Sequence, residues 1–290
     1  MAHPVTHRSR HDWRVNEPPP PVGVPLDAAP GIRRIVAPNP GPMTGHGTNS
    51  WLVAHPAGTV VIDPGPDDPA HLRAIVAAAR GPVSHILLTH THRDHLEGAR
   101  PLAGMTGVPV CAYRHSACAT FSPDIALDDG ARVATLAALH TPGHASDHLC
   151  FATRDGILFT GDHIMGWSTT MVPPAPHGSV RLFLHSLDKV LDHDARLLLP
   201  AHGPPITRTV PCVQGLIAHR LAREASILAA LPDEPATLEV ILRRVYRAVR
   251  PALRRAAELN LLAHLEKLRD DGLVVHDHDT WRAVRDGTAD

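Results

Sequence analysis

The chain divides by the period of its apolar positions. Between residues 32 and 206, apolar runs of strand length alternate with turns rich in Gly and Pro. Such runs fall at 32–37, 49–54, 59–62, 86–88, 108–112, 132–139, 149–153, 157–160 and 197–199, and each reads as a short, mostly buried β-strand. Three stretches among them change to helical spacing. Leu72, Ile75, Val76 and Ala79 predict a helix over 69–79 that Gly81-Pro82 ends. Two more helices are predicted over 97–105 and 180–191. Beyond residue 206 helical spacing dominates, over 210–231, from Thr237 to about 249, and from Pro251 or Ala252 onward with Leu261, Leu262, Leu265 and Leu268 on one face. That last helix stops at Asp271-Gly272, and 273–276 with 281–284 predicts a hairpin. The expected division is a disordered tail over 1–30, an α+β domain over 31–210 and a helical domain over 211–290. The tail is expected from its polarity, its run Pro18-Pro19-Pro20-Pro21 and its lack of period; His3, His7 and His11 are read as part of it.

Composition changes this picture little. Of 290 residues, 43% are hydrophobic and 20% charged, and the formal net charge is −1. No global field recruits nucleic acid or an anionic membrane, and aromatics at 3% do not make a broad base-stacking platform. No bilayer-length apolar run or signal peptide is read, and the four cysteines form no Cys-x-x-Cys pair. The expectation is a cytoplasmic protein with reduced thiols and no membrane partner.

One stretch carries chemistry. Thr89-His90-Thr91-His92-Arg93-Asp94-His95 follows the apolar run 86–88 and packs three imidazoles and a carboxylate into six residues. The chain has 23 histidines, so a chance cluster is the competing reading. Imidazole nitrogen and carboxylate oxygen are ligands of zinc, iron and manganese. In extended backbone His90 and His92 point to one side, and Asp94 and His95 turn across to a second position. One loop can therefore feed two metals. Downstream, His140-Thr141-Pro142-Gly143-His144, Phe159-Thr160-Gly161-Asp162 and Leu199-Pro200-Ala201-His202-Gly203 each place a candidate ligand where an apolar run meets a turn.

The order His-x-His-x-Asp-His, His, Asp, His resembles the metallo-β-lactamase superfamily from about residue 32 to 206. The resemblance implies a four-layer αββα sandwich of two mixed sheets. It implies one metal on His90, His92 and His144 and another on Asp94, His95 and His202, with Asp162 bridging. The cofactors expected are two divalent ions, zinc first, with iron or manganese as alternatives. Two such ions lower the pKa of a shared water, so the chain is expected to be a hydrolase with Asp94 and Asp162 as its catalytic carboxylates. Asp162 speaks against a true β-lactamase, since class B enzymes lack a bridging carboxylate there. Met165, where similar lactonases carry Tyr, weakens a lactonase reading. Asp63-Pro64-Gly65 resembles the family's Asp-x-Gly turn, where Asp63 either orients ligands or only forms the turn. The family usually has Gly soon after the last motif histidine; Leu96-Glu97-Gly98 departs from this, and Glu97 is read as a helix N-terminal carboxylate. His46, Asp147, His148, His163 and His177 are read as supporting, core or loop residues.

The tail resembles a small winged-helix module. Residues 218–224 and 260–268 narrow the likeness to the β-lactamase-like protein 2 family, whose animal members are mitochondrial endoribonucleases. That favours a single-stranded RNA substrate, with Arg243, Arg244, Arg247, Arg254 and Arg255 as phosphate contacts. Against it, residues 213–290 hold twelve Lys/Arg and twelve Asp/Glu, and Pro251 interrupts the arginine stripe. The alternatives are an ester or thioester hydrolase of the glyoxalase II kind, and a non-catalytic metal- and nucleic-acid-binding regulator. For the tail alone, the competing reading is a module that packs or makes a homodimer.

Overall fold

The computed structural model describes residues 13–284. A seven-stranded sheet runs in chain order through β1 (Leu26–Ala29), β2 (Ile32–Val36), β3 (Asn49–His55), β4 (Gly58–Ile62), β5 (Val83–Leu87), β6 (Val110–Tyr113) and β7 (Ile125–Leu127). A five-stranded sheet takes β8 (Arg132–Val133), β9 (Leu136–His140), β10 (Leu149–Ala152), β11 (Ile157–Gly161) and β12 (Leu197–Pro200). Both are mixed: β4 to β7 run parallel in the first, β11 and β12 in the second.

Side chains alternate across a strand, and here both faces are apolar. Val60 and Ile62 of β4 enter the core between the sheets, while Val61 faces outward to a second core. Helices α1 (Pro69–Ala78) and α3 (Ala99–Thr106) cover that outer face through Leu72, Ile75 and Leu102. In β11, Ile157 and Phe159 point inward and Leu158 outward, where α4 (Val180–Asp192) covers it through Phe183 and Leu187. The layers are therefore helix, sheet, sheet, helix, as expected. Trp51 and Phe159 join the sheets edge to face at 5.8 Å; truncating Phe159 to Ala should cost about 3–5 kcal/mol.

Two expectations need correction. Residues 1–12, with His3, His7 and His11, lie outside the described residues, but the rest of the expected disordered tail is placed. Trp13 is buried in the core beside Gly215, where even a Cβ would lie 2.2 Å from the indole. Val15 N–H donates to the Gly166 carbonyl (3.0 Å), and Glu17 takes both ends of the Arg34 guanidinium (2.8 and 2.9 Å). One tryptophan and one bidentate ion pair outweigh a polar, Pro-rich composition. The second correction concerns the boundary at 210. Helix α5 (Thr209–Ala230) crosses it: Cys212, Val213 and Leu216 belong to the sandwich core and Ile227 to the tail core. The two units share a helix rather than meeting at a linker.

The tail adds α6 (Leu238–Val245), α7 (Arg254–Asp270) and a small sheet of β13 (Ala236–Thr237), β14 (Val274–Asp277) and β15 (Thr280–Ala283), a winged helix. Helix α6 ends four residues before the expected 249. Thr237 stands at its N-cap without a side-chain cap, held instead by pairing with Thr280. No helix among the described residues is long and apolar enough to cross a membrane.

Candidate metal centre

The C-terminal ends of parallel strands are where this class of sheet presents its loops, and the ligand loops follow β5, β11 and β12. His144 comes from the loop after β9. All seven expected ligands meet there, as His90, His92, His144 and Asp162 in one group and Asp94, His95 and His202 in the other. His95 begins its contribution from α2 (Arg93–Leu96), a single turn that bends the chain across the site as expected. The helix expected over 97–105 is α3 (Ala99–Thr106), which starts after Gly98 and is separate from this turn. Gly161 has φ +51° and no room for a Cβ, which would lie 2.6 Å from His148 Nε2 and 2.7 Å from Thr89. That close approach aims Asp162 inward.

The second nitrogen of most ligand rings is already committed. His144 Nδ1 donates to the Met171 carbonyl (2.7 Å), His202 Nδ1 to the Gly47 carbonyl (3.2 Å) and His95 Nδ1 to Asp63 Oδ2 (2.9 Å). Asp63 also accepts from Thr89 N–H (2.8 Å) and Thr89 Oγ1 (2.7 Å). Because that hydroxyl donates to Asp63, it accepts from His90 Nδ1 at 3.1 Å. Four Nε2 atoms are left as lone pairs turned into the site. His90 Nε2 and His144 Nε2 lie 2.8 and 2.9 Å from His92 Nδ1. His202 Nε2 lies 3.2 Å from both Asp94 Oδ2 and Asp162 Oδ1; His95 Nε2 lies 3.4 and 3.6 Å from the same atoms. Asp162 Oδ2 turns the other way, 3.5 Å from His144 Nε2. One carboxylate thus offers an oxygen to each group.

Acceptors facing acceptors in a buried place are unfavourable unless a cation lies among them. His95 Nε2 and Asp162 Oδ1 are buried with no hydrogen-bond partner, which is the observation that a metal pair fits. The electrostatics agree. Burial, then neighbouring imidazoles, push His90 far below the usual histidine range and His92 to about 3, and burial lowers His144. In the other group burial opposes charge but the carboxylates prevail: Asp94, Asp63 and Asp162 raise His95, and Asp162 and Asp94 raise His202. Burial would also raise Asp94 and Asp162, yet the histidines hold both below the carboxylate range. One group is ready as neutral ligands; in the other the carboxylates favour a positive charge, which a cation would supply.

Asp63 is the ligand-orienting residue its turn allowed, at φ +51°. His148 stands behind Asp162, accepting its N–H at Nε2 (3.2 Å) and bonding Thr141 at Nδ1 (2.9 Å). Asp147 accepts from Thr91 Oγ1 (2.5 Å) and Ala117 N–H (2.9 Å), fixing the motif loop from below. Glu97 pairs with Arg93 (2.7 Å) and takes no part in the site; His177 is exposed. The Met171 and Gly47 carbonyls could not be found from sequence, since any residue supplies them.

A cleft of about 240 Å³ lies against the loop that carries Met171, and none of the seven candidate ligands lines it. One wall is the 165–171 loop, which leads from Asp162 to the Met171 carbonyl, and the opposite wall is the tail. Met43, Trp167, Met171 and Leu253 make it partly apolar; Arg220, Arg223 and Arg250 make it basic; no Asp or Glu among the described residues lines it. A second hollow shares Tyr246 and Val249 and adds Arg243, Arg247 and Arg254, again without a lining acid.

A layered sandwich with this donor set at one edge defines a metal-dependent hydrolase. The metallo-beta-lactamase superfamily profile matches residues 43–202, more than half the chain, and the beta-lactamase associated winged helix domain matches 237–281. The chain belongs to the metallo-beta-lactamase superfamily. It is similar to the Beta-lactamase-like protein 2 homolog of Caenorhabditis elegans, 31% identical over 261 residues, 85% of this chain and 87% of that one. The Atrochrysone carboxyl ACP thioesterase dmxR1 of Cryptosporiopsis sp. is 31% identical over 212 residues, covering 70% of this chain and 63% of that one. A metallo-beta-lactamase family protein from Thermus thermophilus shares the fold at TM-score 0.74 and 24% identity, over 89% of this chain and all (100%) of that one.

Proposed function

We propose that this hydrolase cleaves phosphodiester bonds of single-stranded RNA. The observation that carries the reading is the placement of charge. The tail balances twelve basic against twelve acidic residues, yet six of its arginines line two adjoining hollows with no lining acid among the described residues, the first walled by the loop that carries Met171. Glu239 offsets part of this, pairing with Arg243 and Arg254 (both 2.6 Å). Arg255 is paired with Glu258 (2.8 Å) and Arg244 donates to the Ala230 carbonyl (3.3 Å). Of the arginines that sequence reading favoured, Arg247 therefore stays in this reading, joined by Arg223 and Arg250. Guanidinium groups suit phosphate oxygens, and Arg223 lies 4.5 Å over the Tyr246 ring, which gives one base a flat neighbour.

His90, His92 and His144 would hold one divalent ion and Asp94, His95 and His202 the other, with Asp162 shared; zinc suits this set, as do iron and manganese. When bound, such ions supply Lewis acidity and a more acidic water. The chain's own part is to aim substrate and move protons. Asp94, 29% exposed at its side chain against 11% for Asp162, is the carboxylate open to accept a hydrogen bond from incoming water. His144 and His202 stay oriented by backbone carbonyls. A cytoplasmic setting belongs to this reading as well, supported by four unpaired thiols, while a homodimer made through the tail stays the competing proposal for that module.

A second reading, ester or thioester hydrolysis, is favoured by the apolar side chains of the cleft and by the thioesterase relative. Zinc- or manganese-loaded protein offered a labelled single-stranded RNA beside an acyl-thioester panel separates the two. Cleavage of RNA that weakens steeply as salt rises supports the proposal. Thioester turnover with intact RNA overturns it.

A further inference from the structure

Arg220 lies in the middle of α5, where the helix passes from the sandwich core to the tail core. It is 2% exposed. Its guanidinium donates to Asn260 Oδ1 (2.7 Å) on α7 and to the Thr170 carbonyl, and lies 5.1 Å over the Phe183 ring. Burial lowers its pKa only to about 10, so it stays a cation. A buried cation is costly unless its donors are well placed, and the partner that matters here is Thr170.

Thr170 joins three things. Its carbonyl accepts from Arg220, its hydroxyl donates to the Asp162 carbonyl (2.8 Å), and the carbonyl of the next residue, Met171, accepts from His144 Nδ1 (2.7 Å). Two ligands from two separate loops are thereby set by one dipeptide. The other end of that loop is tied by the bond from Val15 N–H to the Gly166 carbonyl. Within the loop, Arg220 is the only link among these that comes from the helix shared with the tail.

We propose that Arg220 is a positioning residue of the metal centre, holding Thr170 and Met171 so that Asp162 and His144 keep their ligand geometry. The tail is then a working part of the centre and not only a surface for substrate. The inference rests on the metal reading of the cluster and is independent of which substrate is cleaved.

The test is metal affinity, measured on the stripped full-length chain by zinc titration against a chromophoric chelator. Outer partners of ligands typically govern affinity by about 10–100-fold. Arg220→Met should weaken the tighter-bound equivalent about tenfold or more, and Arg220→Lys should restore part of the loss. Thr170→Val, which keeps the side-chain shape, should weaken it several-fold and stands in if the Met variant does not fold. Leu265→Ala, a cavity in the tail core away from the loop, should lower Tm with affinity within twofold of the parent. Wild-type affinity in the Arg220→Met or Thr170→Val protein overturns the proposal, as does an equal loss in Leu265→Ala. Wild-type protein that takes up no zinc overturns the metal reading itself and this proposal with it.

Discussion

Two buried polar clusters, one at the sheet edge and one between the tail helices, differ in how their groups face one another. In the tail, donors meet acceptors: Lys267 Nζ reaches Glu224 Oε2 (2.9 Å) and Asp271 Oδ2 (2.8 Å), and Asn260 Nδ2 donates to the Tyr246 hydroxyl (2.9 Å). Those bonds pin α5 to α7, while Glu224 Oε1 and both His264 nitrogens stay buried without a hydrogen-bond partner. At the sheet edge, imidazole nitrogens and carboxylate oxygens converge, and two candidate ligand atoms, His95 Nε2 and Asp162 Oδ1, are left without hydrogen-bond partners. Unpartnered buried atoms occur in both clusters, so what marks the sheet edge as a binding site is convergence: seven candidate ligands gather there in two tight groups, and the tail residues form no such group among the described residues.

The sharpest way to break that contrast is to remove the shared acceptor. Asp162→Ala should lower turnover by on the order of 10³-fold or more with the fold retained, because its carboxylate faces both groups. His177→Ala, at an exposed loop position, should stay within about twofold. His148→Gln should fall between, since it acts on Asp162 through one backbone bond. Steady-state kinetics on the three variants decides; equal losses would mean that Asp162 has no special place.

Metal content comes next. Elemental analysis of loaded protein should approach two equivalents. At free metal a thousandfold above Kd, binding should add about 4 kcal/mol of stability, visible as a rise in Tm over chelator-stripped protein. A Tm indifferent to zinc, manganese and iron alike would sink the cation reading of the sheet-edge cluster.

What was legible in the sequence follows the same contrast. Candidate ligands stand at fixed offsets in a motif, so His90, His92, Asp94 and His95 stood out in the sequence, strand ends pointed to His144, Asp162 and His202, and the structure gathers all seven. The fold was legible where apolar period is strong, as in β4 and β11. Interactions closed by distant partners were not. Trp13 needs the notch at Gly215, and Arg220 needs the Thr170 carbonyl; neither has a local pattern. The arginine stripe breaks earlier than Pro251, the interruption visible in the sequence. Helix α6 ends at Val245, so Arg247 and Arg250 are set by the connection to α7 and not by helical spacing.

That placement gives a moderate expected effect. Arg223→Glu combined with Arg250→Glu should raise KM for single-stranded RNA about tenfold and flatten its salt dependence, because each phosphate contact contributes to the salt slope. The kcat should hold, as neither residue reaches the ligand groups. Arg255→Glu, whose wild-type residue is already paired with Glu258, should change KM far less. Equal KM effects from all of these would mean that the tail acts by total charge and not by its cleft.

The smallest effect probes the tail cluster itself. His264 is wholly buried on α7, and burial chiefly lowers its pKa to about 4, against a weaker upward pull from Glu224, whose Oε1 lies 3.6 Å away; Arg220 and Arg223 also disfavour its charge. The unfolded chain titrates this residue near 6.5, so below that pH the unfolded state binds the extra proton. The stability contributed is complete above 6.5 and is lost as pH falls toward 4. Between pH 7 and pH 6 the loss is roughly 0.7 kcal/mol by the same linkage. His264→Gln removes the titration while keeping a polar group of similar size. Urea denaturation of wild type and variant should therefore show a stability difference that shifts by about that amount over the interval, in the direction that narrows any advantage of histidine at the lower pH. A difference constant with pH would show that His264 titrates alike in both states, and that the tail cluster is wetter than its packing indicates.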